Sequence, residues 1–163
     1  DGVFFNVAVE DYIPNMMQVE NNTIFEYGIL LDKEQEKAVE KELHALRDNA
    51  YRWYTRIERA DGYDQFSRFE MDYPSRLHFR SGAKMYKFKS GKFRTYWALG
   101  DNCAAFTDVA LGALGADVLN IRGIISPGTY LDFLQTEYLR PSSPVITRTI
   151  HTMTGQDPLP DSI

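Results

Sequence analysis

The sequence has one cysteine and three histidines in 163 residues. A single thiol excludes an internal disulfide framework and any cysteine-rich zinc site, and it leaves Cys103 to be explained by packing or by reactivity. No HExxH or paired-histidine spacing is present, and the acid pairs Asp61/Asp64 and Glu70/Asp72 read as charged loops, so no metal site is expected. A glycine-rich phosphate loop is also missing, because Gly112 and Gly115 fall inside or at the end of a helical pattern, and no cofactor is expected. The longest uncharged stretches, around Asn102 to Ala116, are interrupted by acids far short of the roughly 18 apolar residues of a membrane span. No membrane span is expected. Positive charge is scarce overall, with 18 bases against 23 acids, which argues against general nucleic-acid binding. The sequence opens at Asp1 without an initiator Met or a basic-then-apolar leader, as expected for a processed protein or a fragment of a longer one.

What is present fits one mixed α and β domain over 1–154, with a loose Pro-containing tail over 155–163. Hydrophobic residues make up 44% and charged residues 25%, enough for a real core, and 13% aromatic residues favour strands over a plain helical bundle. Val3–Val9 and Thr23–Leu31 read as two strands that pair through a loop holding Pro14, Asn15, Asn21 and Asn22. Asp32 with Gln35 three residues later predicts a capped amphipathic helix, with Ala38, Val39, Leu43 and Leu46 on its apolar face. From Tyr73 to Gly100 there are seven bases and no acid. The segment MYKFK-SG-KFRTYW inside this basic island reads as a hairpin with aromatic residues inward and lysines outward.

Asp101 or Asn102 then caps a helix that closes near Gly115, with Cys103 in its buried first turn beside Phe106, Ala110, Ala113 and Leu114. Ser126-Pro127 opens another helix, and SPVITRTIHTM forms a last strand carrying His151. A thiol at a helix start faces unpaired backbone N–H groups and the positive end of the helix dipole, which favour the thiolate and offer donors for an oxyanion. A small buried hydrophobe is the competing reading of a lone cysteine.

The stretch RTYWALGDNCAAFTDVALGALGADVLNIRGIISPGTYLDFL resembles the nucleophile region of permuted papain-like amidases, relatives of the NlpC-type cell-wall hydrolases. The matched features are Asn102-Cys103, the small and aromatic residues Ala104 to Phe106, a helix closing at Gly115, and Ser126-Pro127-Gly128; GILLDKEQEKAVEKELHALR is similar to the strand and capped helix placed ahead of the cysteine. The resemblance implies an α+β papain-like fold, a cysteine helix on an antiparallel sheet, and a cysteine hydrolase cleaving an amide or acyl bond through a thioester, with peptidoglycan stem peptides among its substrates. It further implies a bacterial toxin or effector, secreted or delivered to the periplasm, whose partners are a peptide or acyl substrate, the cell wall and an immunity protein. One feature departs from the family. The permuted relatives carry their histidine at the start of an early strand, where this sequence reads DGVFFNV.

The base is therefore sought among the three histidines. His44 sits among Lys41, Glu42 and Arg47 on a solvated helix face and is set aside. His78, in RLHFR, alternates with Leu77 and Phe79 on an expected strand. His151 follows the cysteine on the last strand, in the order nucleophile then base. Cys103, His151 and His78 are the candidate catalytic residues. The alternative function is a catalytically inactive module of the same fold that binds an anionic ligand or a protein partner through the basic hairpin.

Overall fold

The computed structural model describes residues 2–59, 71–96, 102–113, 115–123 and 125–153. The expected tail, 155–163, lies outside the described residues. The protein is an α+β chain with strands β1 (Phe4–Asn6), β2 (Ile24–Ile29), β3 (Ala50–Arg52), β4 (Lys84–Phe88) and β5 (Val145–His151). Its helices are α1 (Val9–Gln18), α2 (Lys33–Asp48), α3 (Arg56–Arg59), α4 (Tyr73–Ser81), α5 (Cys103–Leu111) and α6 (Pro127–Leu139). The strands form a three-stranded sheet in the order β1-β4-β3 and a separate pair, β2-β5. Register fixes two antiparallel pairings. Lys89 N–H donates to Asn49 O and Trp53 N–H to Met85 O for β3 with β4, while Leu30 N–H donates to Pro144 O for β2 with β5.

Two compact units share these strands. The first comprises residues 1–4, 27–51 and 86–147, and the second comprises 5–26, 52–85 and 148–163. In the first, α5 packs on α2 and α6. Ala104, Ala105 and Ala110 are buried, and their small side chains let α5 approach its neighbours closely. Phe4, Phe88, Phe93 and Phe106 meet with ring centroids 4.7 to 6.0 Å apart, an aromatic cluster in this unit. In the second unit, α4 packs on α1 and α3. Leu77, Ala83 and Met85 form its core, with Val7, Tyr12 and Trp53 against them.

Helices whose ends carry local signals form where the sequence places them. Asp32 accepts from Glu34 and Gln35 N–H while the Gln35 side chain accepts from Asp32 N–H, closing a capping box at the start of α2. Ser126 and Thr129 close a second box on α6, with Pro127 in the first helical turn. On α2 the half-buried stripe is Gln35, Ala38, Val39, Glu42 and Leu46, whereas Leu43, expected inside, is 48% exposed.

Several expectations fail. The first two strands do not pair: β1 lies beside β4 and β2 beside β5. The segment between them is not a loop but α1, which runs through Pro14; that proline sits in the middle of the helix, where it forgoes one backbone bond. The hairpin is also absent among the described residues, since β4 is followed at Ser90-Gly91 by a 3₁₀ turn, Lys92–Arg94. Gly91 adopts φ 89°, and Asn49 binds the turn by donating from Nδ2 to Ser90 O and accepting from Ser90 Oγ, so this corner joins a strand to a turn instead of two strands. Lys89 is not a free solvent lysine either, because its Nζ donates to Asp48 O. Finally, RLHFR is helical. Asp72 caps α4 through Ser75 N–H, Pro74 sits in the first turn, and Gly82 closes the helix at φ 67°.

Candidate active site

Helix α5 begins at Cys103 because Asn102 is built to start it. Its backbone is extended, its Oδ1 accepts from Ala105 N–H at 2.9 Å, and its carbonyl accepts from Phe106 N–H at 3.0 Å. Its Nδ2 donates to Ile125 O at 2.7 Å, tying the helix start to the segment that enters α6. Asn102 is 2% exposed, so this small amide is a buried, fully engaged joint. The two first-turn N–H groups that Asn102 does not serve are those of Cys103 and Ala104, and neither has an acceptor among the described residues.

Cys103 itself is exposed. The buried first turn expected from sequence is corrected: Ala104, Ala105 and Ala110 are the buried residues of α5 while the thiol is exposed, and Ala113, expected beside it, is exposed as well. The helix ends at Leu111, one turn before Gly115. Gly115 serves a close approach instead, since a Cβ there would lie 2.2 Å from Ala110 O. An exposed thiol next to two N–H groups that have no acceptor among the described residues can attack a carbonyl carbon and offer donors to the oxygen that becomes negative.

The same unit holds two perturbed groups. Burial raises the Asp108 carboxyl above its usual 3.8, with Lys92 partly offsetting it. Burial, together with the Asp108 charge, pushes the Tyr130 phenol up to about 12, and its hydroxyl has no hydrogen-bond partner among the described residues.

The two candidate histidines belong to the second unit, Cys103 to the first. His78 lies on α4, not on a strand, with 17% of its side chain exposed. Its Nδ1 donates to Ala83 O at 2.8 Å, and its Nε2 faces Glu58 Oε1 at 3.7 Å. Glu58 also accepts from Thr55 N–H, Thr55 Oγ1 and Arg52 Nη2. Burial drives this carboxyl up, but the two Thr55 hydrogen bonds and the His78 and Arg52 charges outweigh it and hold the group below its usual 4.5. His78 is thus part of a filled polar network. His151 closes β5, as the sequence predicts, and its Nε2 lies 2.8 Å from Glu26 Oε2 on β2. A carboxylate on one ring nitrogen is how a catalytic imidazole is oriented, and Nδ1 has no partner among the described residues. Sequence reasoning missed Glu26 because nothing local distinguishes it from any outward strand residue. His44 is exposed on α2, as read from its charged neighbours.

No group of three or more histidine, cysteine, aspartate or glutamate side chains among the described residues is placed to hold a metal ion. No helix among them is long and apolar enough to cross a membrane. No protein-family model, curated protein or solved structure matches the chain.

Proposed function

We propose that this chain is a cysteine hydrolase of the papain-like, NlpC-type class, with Cys103 as nucleophile. The observation that carries the reading is the exposed thiol at the first position of α5, next to the N–H groups of Cys103 and Ala104, which have no acceptor among the described residues, on a helix start held by the buried Asn102. In the reaction the sulfur bonds to the acyl carbon and the carbon–nitrogen or carbon–oxygen bond breaks. The thiol proton passes through a base to the leaving group. Water then cleaves the thioester, releasing the acid and restoring the thiol. His151 ranks ahead of His78 as base on its own chemistry, because Glu26 orients its ring while Nδ1 has no partner among the described residues, whereas both nitrogens of His78 face acceptors.

The test is acetylation by p-nitrophenyl acetate, followed by intact mass and peptide mapping. A burst of p-nitrophenolate stoichiometric with protein, one acetyl group on Cys103, and a native rate well above that of the same chain in denaturant are expected. A native rate no greater than the unfolded chain's refutes the reading. His151→Ala slowing the turnover that follows the burst, with His78→Ala mild, is the expected ranking; the reverse transfers the role to His78.

A further inference from the structure

The chain as a whole is acidic, but one corner of the second unit is not. Residues 52–59 read RWYTRIER, three arginines against one acid. The β3–β4 register adds a fourth cation. Lys89 N–H on Asn49 O and Trp53 N–H on Met85 O belong to one ladder, whose next residue pair sets Lys84 opposite Tyr54.

The single acid does not neutralise this corner. Glu58, with 13% of its side chain exposed, is committed to Arg52, Thr55 and His78, and Arg52 Nη1 donates to Trp53 O and Met85 O. Arg56, Arg59 and Lys84 are all exposed and have no carboxylate partner among the described residues. Arg56 and Arg59 lie three residues apart on the one turn of α3, hence on one side of it. Arg59 is also held in position: its Nε donates to Tyr54 O at 2.7 Å and its guanidinium lies 5.1 Å over the Trp53 ring. Its Nη groups, without an acceptor among the described residues, are therefore pre-ordered for an oxyanion. Beside these cations the Tyr54 ring is 55% exposed, with Arg52 over one face at 4.9 Å.

Cations spaced along an exposed corner suit an extended polyanion, and a half-exposed ring among them suits one that carries planar bases between its charges. A duplex keeps its bases stacked inside, and an acidic polypeptide lacks them. We propose that the β3–α3 corner of the second unit binds single-stranded nucleic acid, its phosphates on Arg56, Arg59 and Lys84 and an unpaired base against Tyr54. The net negative charge of the chain opposes general binding, so the contact is local and salt-sensitive.

The experiment is fluorescence anisotropy of short labelled oligothymidylate and oligouridylate titrated with the whole chain. Saturable binding in about the micromolar range is expected at about 50 mM salt, weakening about 20-fold by about 200 mM, because three phosphate contacts on a single strand give a log–log slope of about −2. Arg56→Gln and Lys84→Gln, at exposed positions with no ion pair among the described residues, should each weaken binding and reduce that slope by about 0.7. Tyr54→Leu should weaken binding about fivefold or more through lost stacking. Lys33→Gln, an exposed charge at the start of α2, should change nothing. Such binding by either oligonucleotide supports the proposal. No saturation, inorganic polyphosphate or polyglutamate binding as tightly as the oligonucleotides, a duplex binding more tightly than the single strand, or Lys33→Gln weakening binding as much as Arg56→Gln each overturns it.

Discussion

Replacing Asn102 by alanine removes two distinct interactions from one buried position. Loss of the cap on Ala105 N–H costs about 1 kcal/mol by the usual value for N-cap asparagine. Loss of the Nδ2 donor leaves Ile125 O unpaired at a part-buried site, which adds about 1 kcal/mol. The sum of about 2 kcal/mol corresponds to a drop in melting temperature of roughly 4–8 °C for a chain of this length. Asn102→Ser keeps an oxygen at the cap but loses the bridge to Ile125, so it should lose about half as much. Urea unfolding of the three proteins at one temperature reads both differences, with an unchanged m-value showing that the same surface is exposed on unfolding. If the alanine variant loses less than about 0.5 kcal/mol, the level of an ordinary surface change, then Asn102 does not fix the helix start. The thiol beside it would then lack the rigid support on which the catalytic reading depends.

Iodoacetamide should label Cys103 once in the native protein, as read by intact mass, because the thiol is exposed; labelling only after denaturation would contradict its placement. Glu58 carries a depressed carboxyl, so its contribution to stability is present above its unfolded value near 4.5 and is lost as pH falls through the lower folded value; Glu58→Gln should flatten that acid limb of the stability–pH curve, and an unchanged limb would refute it. Asp108 has the opposite sign: its raised carboxyl favours the protonated fold, so Asp108→Asn should stabilise at pH 7 and give no gain at pH below its usual 3.8, checked by melting at both. Gly28→Ala places a Cβ 2.2 Å from Thr147 Oγ1 and should destabilise by about 1–3 kcal/mol, with Thr147→Ala restoring most of the loss in the double variant and no restoration showing that the strain lies elsewhere.

What could be read from the sequence was what a few adjacent residues decide. The starts of α2, α5 and α6 are each set within four residues, by Asp32 with Gln35, by Asn102, and by Ser126 with Pro127 and Thr129. Helix α4 had equally local marks in Asp72, Pro74 and Gly82, but the alternation of Leu77, His78 and Phe79 masked them. Strand partners were not legible, because β1 finds β4 and β2 finds β5 across more than seventy residues, and no neighbouring residue encodes that choice. The same division runs through the candidate site. The place of Cys103 at a helix start is local and was readable, whereas its exposure depends on which side of α5 the tertiary packing buries. The Glu26–His151 and Glu58–His78 pairs are products of tertiary structure alone.

The stacking of Phe4 on Tyr86, Phe88 and Phe106, with Gly2 N–H on Arg94 O, has a consequence for synthesis on the ribosome. The first strand leaves the exit tunnel with its partners still unmade. At about 5–20 residues per second, it waits roughly 5–20 s for the residues that cover it. During that interval a short aromatic segment is exposed on the nascent chain, and a holdase chaperone that binds such segments has its natural opening there, before β4 emerges to claim them.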